Sequence, residues 1–466
     1  MDSPDAKTAP PLRLHFLVIG GGLAGVSAAI ALTKKGHNAT VLEAQKVFSE
    51  LGSGIQMPPN STKILGNWGL SDELFLHATS PHRIDFRSYR HGDLLSVAGL
   101  VPDMQARHHA PHLVLHRGDL LALLLQEARR LNVQLETDCA AVDIDFATCT
   151  VSTANGKSFT GDVLIGADGD KSFVRDTLLG KDTSPQPTGK LVYRLTIPSD
   201  AIAANSMVRD LIQPPKITCW MGPDSHVVCY NLESKGICNL VLTRSDNDSS
   251  STRHSDIPGP RPASMDELRR FFSAWDDPLR HVLDLADSAL YWPLLRGQDV
   301  DTWTHPCGSF ILIGDAAHSM PPHLVQGAAQ AIEDAACLGE LFGRVQRRSQ
   351  IPDALTIFQE LRQTRCLEIS RRADRAGRVW TFRDGPYQQE RDRQLKDHQP
   401  FDGYPNPFSD AHLHKWLYDY DVAEAVRKAW DRYTRGEWVG TSGGHIQHDE
   451  HSASEQRGTK RSISET

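Results

Sequence analysis

The stretch from Leu14 to Glu43 constrains this chain more than any other. It opens with an apolar run, Leu14-His15-Phe16-Leu17-Val18-Ile19, and turns at the glycine cluster Gly20-Gly21-Gly22-Leu23-Ala24-Gly25. Small residues at close spacing follow, Ser27, Ala28, Ala29 and Ala31, up to Gly36. A second apolar run, Ala39 to Leu42, ends in Glu43. The pattern reads as strand, tight turn, helix, strand, acid, which is the context that gives a Gly-x-Gly-x-x-Gly spacing its meaning. Gly20 allows the turn out of the strand. Gly22 lacks a Cβ, so a pyrophosphate can approach the backbone there. Gly25, helped by Ala28 and Ala29, lets the helix lie close to the sheet. The helix N-terminus offers N–H groups and partial positive charge to phosphates. Glu43, at the strand tip, can accept hydrogen bonds from both ribose hydroxyls and disfavours a 2′-phosphate. The stretch specifies a dinucleotide site. It does not say which dinucleotide, or for what reaction.

Length leaves room for more than this one unit. A chain of 466 residues allows about two to four domains. With 39% hydrophobic and 23% charged residues it can build sizeable cores. A net charge of −8 argues against nucleic acid or an anionic membrane as the main partner. No apolar run reaches the roughly 18 residues that a membrane span needs. Met1 to Pro11 is polar and carries no signal-peptide core, so the chain is expected in the cytoplasm. The eight cysteines form no Cys-x-x-Cys, and most sit in apolar runs; buried, reduced thiols are expected.

Along the chain, a glycine-rich loop at 50–56 precedes a helix expected over Ser61–Trp68. Residues 80–100 alternate apolar and polar, as strands do. A Leu-rich helix is expected up to Leu131. Val133–Leu135, Ala141–Phe146 and Cys149–Thr153 suggest a small β-meander. From about 181 to 295 the chain is β-rich, with one helix expected over Ser264–Trp275. An antiparallel sheet of this kind can wall a pocket for a small molecule. Beyond it, Ala316–Val325 reads as a loop, Gln326 to about Arg348 as a long helix, and Pro352–Arg378 as another. Residues 384–410 are rich in polar residues, Pro and Gly, Trp416–Arg435 reads as helical, and the last 25 or so residues read as disordered.

Two further stretches share the features of strand ends in an open parallel sheet: Asp168-Gly169-Asp170-Lys171-Ser172-Phe173-Val174-Arg175 and Gly314-Asp315-Ala316-Ala317-His318. Together with the glycine turn they favour one shared cofactor. On these three motifs, in this order, the chain resembles the class A flavoprotein monooxygenases, the aromatic-ring hydroxylases, and within them the salicylate hydroxylase-like enzymes of fungi. The runs Gly52–Gln56, His116–Leu120 and Pro322–Ala335 match as well, so the resemblance covers roughly residues 14–380. Where the family often has a glycine before Gln-Gly, this chain has Val325.

The resemblance implies an α/β fold. A Rossmann-like FAD-binding domain of glutathione-reductase type would comprise residues 14–79, 101–180 and 296–380, discontinuous in sequence. An inserted antiparallel-sheet substrate domain would take 80–100 and 181–295, followed by a C-terminal helical segment, 381–440. Residues 1–13 would be a polar extension and 441–466 a disordered tail. It further implies that Gly20, Gly22 and Gly25 meet the FAD pyrophosphate and that Glu43 holds the adenosine ribose. Gly54, Ile55 and Gln56 would lie near the flavin ring, and Arg117 would reach the phosphates. Asp315 would bind the ribityl or pyrophosphate part, and Asp168 belongs to a motif tied to both FAD and the pyridine nucleotide. Gln326, Gly327 and Ala328 would sit at the isoalloxazine edge, where a helix N-terminus favours the negative charge of reduced flavin.

The reaction so implied uses NAD(P)H as co-substrate to reduce FAD. O2 then gives a flavin C4a-hydroperoxide whose distal oxygen passes to a phenolic or aromatic ring. The resemblance implies no metal. Expected partners are the small aromatic substrate, O2 and NAD(P)H, with monomer or homodimer left open. His226 and Tyr230 are four residues apart on an expected strand and so share a face. Relatives carry this pair beside the substrate, where His226 would accept a phenolic proton and Tyr230 would orient the ring. A core tyrosine and an edge histidine fit the same spacing. Arg194 stands where relatives engage substrate or flavin, and a solvated strand arginine fits equally. His318 and His323 read as polar loop surface. The alternative function is a fungal secondary-metabolism monooxygenase that dearomatises a phenol, epoxidises an alkene or detoxifies a plant defence compound.

Overall fold

The computed structural model describes residues 12–49, 54–246 and 259–438. Its α/β core is a five-stranded parallel sheet in the order Phe310–Leu312, Val163–Gly166, His15–Ile19, Asn38–Leu42, Gln134–Glu136. These strands read as continuous apolar runs because both faces of the sheet are buried, one under the helix Leu23–Lys34 and the other against a small antiparallel sheet, where Phe146 packs on Phe310 with ring centroids 4.8 Å apart. The helix Leu23–Lys34 packs against the helix Gly327–Phe342 so closely that a Cβ on Gly339 would lie 3.0 Å from Ala31. Small residues on both partners allow that approach.

The second sheet has eight strands and is mostly antiparallel. Arg83–Ser88 and Leu94–Gly99 form its far edge beside Ile217–Gly222, with the long strands Gln186–Pro198, Ser225–Leu232 and Ile237–Ser245 at its centre. Both of its faces are buried. Leu191, Tyr193, Leu195, Trp220, Val227, Cys229 and Leu240 point into a core closed by Leu268, Phe272, Trp275 and Val282. The opposite face, carrying Val192, Arg194, His226, Val228 and Tyr230, turns toward the parallel sheet. Period two fixes this division: alternate side chains on one strand serve two different interiors.

Several expectations are corrected. Val133–Leu135 is not part of the meander. The helix Arg117–Arg130 is a crossover, so the next strand, Gln134–Glu136, returns parallel beside Asn38–Leu42. The meander is Ala141–Asp145, Thr150–Thr153 and Ser158–Thr160. The single helix expected over Ser264–Trp275 is two, Met265–Phe271 and Asp277–Asp284; Asp276 precedes the second, with Pro278 in its first turn. Trp416–Arg435 also divides, into Ala411–Tyr418 and Val422–Thr434, because the Asp421 side chain caps a new start at the Glu424 N–H. Residues 384–410 contain the helix Pro386–Asp397, which begins at Pro386 after Gly385 at φ 145°. The helix expected to reach Arg348 stops at Phe342. Ala316–Val325 holds a helical turn, Asp315–His318, and a 3₁₀ turn, Pro322–Leu324. The expected disorder of 441–466 lies outside the described residues, as do Gly52 and Ser53.

All eight cysteines are free; Cys307 is half-buried and the other seven are buried. Among the described residues no helix is long and apolar enough to cross a membrane.

Candidate active site

One cavity of about 950 Å³ runs from the glycine turn to the inner face of the eight-stranded sheet. Every candidate residue taken from the sequence lines it except Gly25. Gly25 works behind the turn instead: a Cβ there would lie 2.0 Å from the Gly20 carbonyl oxygen. Gly20 has φ 112°, and its own Cβ would meet the Ala167 carbonyl oxygen at 2.3 Å. No other residue fits the turn. Gly22 stands at the N-cap of the Leu23–Lys34 helix, with no side-chain cap. Its orphan N–H groups remain open to an anion. The Glu43 carboxylate accepts from the N–H of Gly21 at 3.0 Å and of Gln45 at 2.8 Å, which fixes it at the cavity edge.

Asp168 and Asp315 meet the cavity in different ways. The Asp168 carboxylate accepts from the Ser172 hydroxyl and from the Val174 N–H at 3.0 Å, so it braces the turn into the helix Phe173–Leu179. Burial raises its pKa, opposed by those hydrogen bonds. Arg175 of the same motif is buried and ties this loop to the third motif through the Ala316 carbonyl at 3.2 Å. Asp315 opens a one-turn helix after Gly314, whose φ of 58° and 2.7 Å approach to the Ala24 Cβ require glycine. Arg117 lies at the start of the helix Arg117–Arg130, where the His116 side chain caps the Gly118 N–H.

In the middle of the cavity, Gly54–Met57 pairs with Leu113–His116. The Gln56 Oε1 lies 3.0 Å from His112 Nε2, and burial lowers the His112 pKa to about 3. Opposite lies the start of the Gly327–Phe342 helix. A Cβ on Gly327 would meet nothing within 4 Å, so a ligand can reach the backbone there. Gln326 is buried; its Oε1 accepts from Asn60 at 3.0 Å and from Gln330 at 2.8 Å, while its Nε2 has no partner. Val325, just before it, holds φ 53°, a strained region for a β-branched residue.

Beneath that helix start, charges are buried in pairs. Arg362 binds Glu333 at 2.6 Å and Asp334 at 2.7 Å. Arg365 clasps Glu333 with two nitrogens, at 2.8 and 2.9 Å. His318 Nε2 lies 2.7 Å from Asp334, which also accepts from the Gly314 N–H at 2.9 Å. Burial alone would raise the Glu333 pKa, but Arg365 and Arg362 outweigh it and bring it down to about 2. This network joins the third motif to the long helix Ile351–Trp380.

At the far end, His226, Val228 and Tyr230 point into the cavity from one strand, as their two-residue spacing requires. His226 is 5% exposed, and its Nδ1 has no partner. Burial sets its pKa well below the ordinary histidine value. Tyr230 packs on the backbone of Gly54, where a Cβ would lie 2.4 Å from its hydroxyl. Burial raises the Tyr230 pKa, against the pull of Arg194. Arg194 is not a solvated strand residue. It lies 5.2 Å from the Trp292 ring centroid, its Nε is buried and unpartnered, and burial lowers its pKa.

Sequence reasoning missed four residues of this chamber. His323, read as loop surface, is 6% exposed and faces His226, ring centroids 5.2 Å apart. Trp380 contacts both imidazoles, at 5.6 and 5.7 Å. Trp292 and Phe408 complete the wall. Phe408 comes from a stretch rich in Pro and Gly that carries no periodicity. His318, also read as surface, is buried against Asp334.

The FAD binding domain family profile matches residues 13–254. FAD-dependent monooxygenase OpS4 of Beauveria bassiana is 36% identical over 423 residues, covering 89% of this chain and 97% of the relative. 3-Amino-4-hydroxybenzoate 2-monooxygenase PtnB3 of Streptomyces platensis is 32% identical over 413 residues, covering 88% and 97%. Among solved structures, a salicylate hydroxylase substrate complex superposes with a TM-score of 0.73 at 26% identity, over 89% of this chain and 97% of that one.

Proposed function

The chain belongs to the FAD-dependent aromatic monooxygenases of the salicylate and hydroxybenzoate hydroxylase type, and on that premise we propose that it uses NAD(P)H and O2 to place one oxygen atom on a phenolic ring, as salicylate hydroxylase does. The observation that carries this reading is the continuity of the cavity. A glycine turn open to phosphate leads without a break to an apolar chamber whose polar groups include two imidazoles, a phenol and a guanidinium.

The residues present fit FAD. The crowded turn at Gly20, the bare helix start at Gly22, Glu43 at the strand tip, and the unfilled space over Gly327 are the features a dinucleotide with a flat ring needs. Gly20, Gly22 and Arg117 would take the pyrophosphate, with Gly25 shaping the turn behind them. Glu43 would take the ribose, and Asp315 the ribityl end. Asp168 would shape the adjoining loop. Gly54, Ile55, Gln56, Gln326, Gly327 and Ala328 would border the ring. When bound, FAD supplies the redox chemistry that NAD(P)H and O2 require.

The chain's own residues do the rest. Neutral His226 accepts the phenolic proton at a ring nitrogen, because a phenolate is the more electron-rich ring. Tyr230 stays protonated and orients the substrate oxygen. Arg194 offers a paired-donor face to a carboxylate or phenolate. Ile84, Phe86, Ile217, Trp292, Trp380 and Phe408 keep water from the reacting atoms.

The test is a screen of NAD(P)H consumption by purified protein with simple phenols, paired with product mass spectrometry. The expected result is yellow protein and salicylate converted to catechol and CO2. Colourless protein under conditions that preserve FAD would overturn the reading. Uncoupled oxidation with every simple phenol would replace it with the oxidation of a bulkier secondary metabolite.

A further inference from the structure

His323 has no role in the reading above, yet it occupies a position that costs the fold something. It sits on the 3₁₀ turn Pro322–Leu324, after two prolines and before the strained Val325. Its ring lies against Gly377 of the helix Ile351–Trp380. A Cβ on Gly377 would be 2.4 Å from His323 Cε1 and 2.6 Å from Nε2, so any other residue there would displace the ring. Both ring nitrogens are buried and neither makes a well-aligned hydrogen bond; the Ala373 carbonyl is the one backbone group that acts on the ring. Buried polar atoms are nearly always satisfied, and a ring left this short of partners asks for a function.

The neighbours supply one. On one side His323 faces His226 in the substrate chamber, across 5.2 Å between ring centroids. No direct hydrogen bond joins the two rings, and the separation suits one bridging water. On the other side it lines a second cavity of about 450 Å³. This second cavity is charged: Lys190, Arg296, Asp374 and Arg378 border it, with Arg296 and Asp374 paired and Arg378 exposed. Leu294, Met320 and His323 line both cavities. Of these three, only His323 can carry a proton.

We propose that His323 relays the substrate's phenolic proton from His226 to the charged cavity beyond, so that the pair of imidazoles forms a two-step exit. The inference rests on the phenol-hydroxylating reading. The step is a proton transfer alone. The substrate O–H bond breaks as an N–H bond forms on His226. The proton on the other His226 nitrogen passes to His323, and His323 releases one to water beside Asp374. No electrons move, and both imidazoles end neutral. Lys190, on the strand Gln186–Pro198, is the cation that acts on both rings; it disfavours a proton resting on either. Asp374 and Asp224 in turn act on Lys190. A site that neither holds the proton nor blocks it is what a relay requires.

The test mixes FAD-loaded enzyme with 4-nitrophenol in a stopped-flow instrument, in weakly buffered solution with bromothymol blue. The phenolate band reports transfer to His226, and the dye reports release to solvent. In the native protein both signals should rise together. In His323→Ala the phenolate amplitude should persist while dye acidification slows at least tenfold, and added imidazole should restore it. His323→Gln should be equally slow and gain nothing from imidazole. Gly377→Ala, which touches no proton, should slow release in the same way by turning His323 aside. His226→Gln should lose the phenolate band itself. Release at the native rate in His323→Ala, or slowing that imidazole leaves untouched, overturns the relay and leaves the phenol reading standing. Native protein that binds no 4-nitrophenol and consumes no NAD(P)H with any simple phenol overturns both.

Discussion

Two clusters of buried polar residues flank the start of the Gly327–Phe342 helix, and they are built on opposite rules. Below it, Glu333, Asp334, Arg362, Arg365 and His318 bury their charges in direct pairs. Beside it, His226, His323, Arg194 and Gln326 leave nitrogens without a protein partner. A satisfied charge network is rigid, because removing any member strands another charge in low dielectric. An unsatisfied cluster of polar groups carries a standing cost that a ligand can relieve. The first arrangement holds a scaffold in place. The second awaits a ligand.

The largest expected effect breaks the first cluster. Arg362→Ala leaves Glu333 and Asp334 short of a cation and should cost about 3–5 kcal/mol of stability, read as a drop in Tm. FAD should be lost with it, since the network anchors the Gly314 N–H and the Gln326 helix start. A stable, FAD-loaded variant would mean the network is not the support of the site. Asp315→Ala should act on the cofactor more than on the fold. A hydrogen bond to a charged group is worth about 1.5–3 kcal/mol, so FAD affinity should fall ten- to a hundredfold, measured by flavin fluorescence during dilution. Full FAD occupancy would count against Asp315.

A pH series sharpens the contrast. His323 has its pKa lowered by burial to about 3 from 6.5. The unfolded chain therefore takes up a proton below 6.5 that the folded chain refuses. Stability from this group is full above pH 6.5 and declines as pH falls toward 3. At pH 5 the loss is about 2 kcal/mol, and His323→Leu should remove that part of the slope in chemical denaturation. Glu333 titrates in another window. Its pKa is about 2 in the fold against 4.5 ordinarily, so its contribution stays whole above 4.5 and fades only between 4.5 and 2. If His323→Leu leaves the slope between pH 6.5 and 5 unchanged, that imidazole is not buried neutral.

These clusters also mark how far the sequence could be read. The glycine turn, the two strand-end acids and the His226–Tyr230 spacing were legible because each is local: a turn, a helix start or a period-two strand fixes its geometry within a few residues. His323 was not legible, because its burial comes from Trp380 and Gly377, more than fifty residues on, closing over a turn that by itself looks like polar surface. Phe408 was hidden in the same way. The Glu333–Arg362 network was half visible, as acids following Gln326-Gly327. Its arginines lie on another helix, where the spacing Arg362 and Arg365 looks like ordinary solvated charge. Arg194 shows the reverse limit. Its position on the strand was plain, but only the neighbouring strand, with Trp292, decides between solvent and cavity.

The smallest effect tests the boundary between packing and chemistry inside the open cluster. Tyr230→Phe keeps the ring that packs on Gly54 and deletes only the hydroxyl. The hydroxyl sits over the Gly54 backbone and near Arg194, and burial keeps it protonated. If it orients the substrate oxygen, its loss removes one neutral hydrogen bond, worth about 0.5–1.5 kcal/mol. Turnover with a phenol should then drop about two- to tenfold, and more NAD(P)H should be consumed per product formed. FAD content and Tm should not change. Equal turnover and coupling in the variant would assign Tyr230 to packing alone, on the side of the scaffold. A fall in FAD content would place it at the ring of the cofactor instead. Gly54→Ala separates these outcomes further. Its Cβ would press on Cε2 and the hydroxyl of Tyr230 from 2.4 Å, so it should reproduce the Tyr230→Phe loss only if the position of that hydroxyl matters.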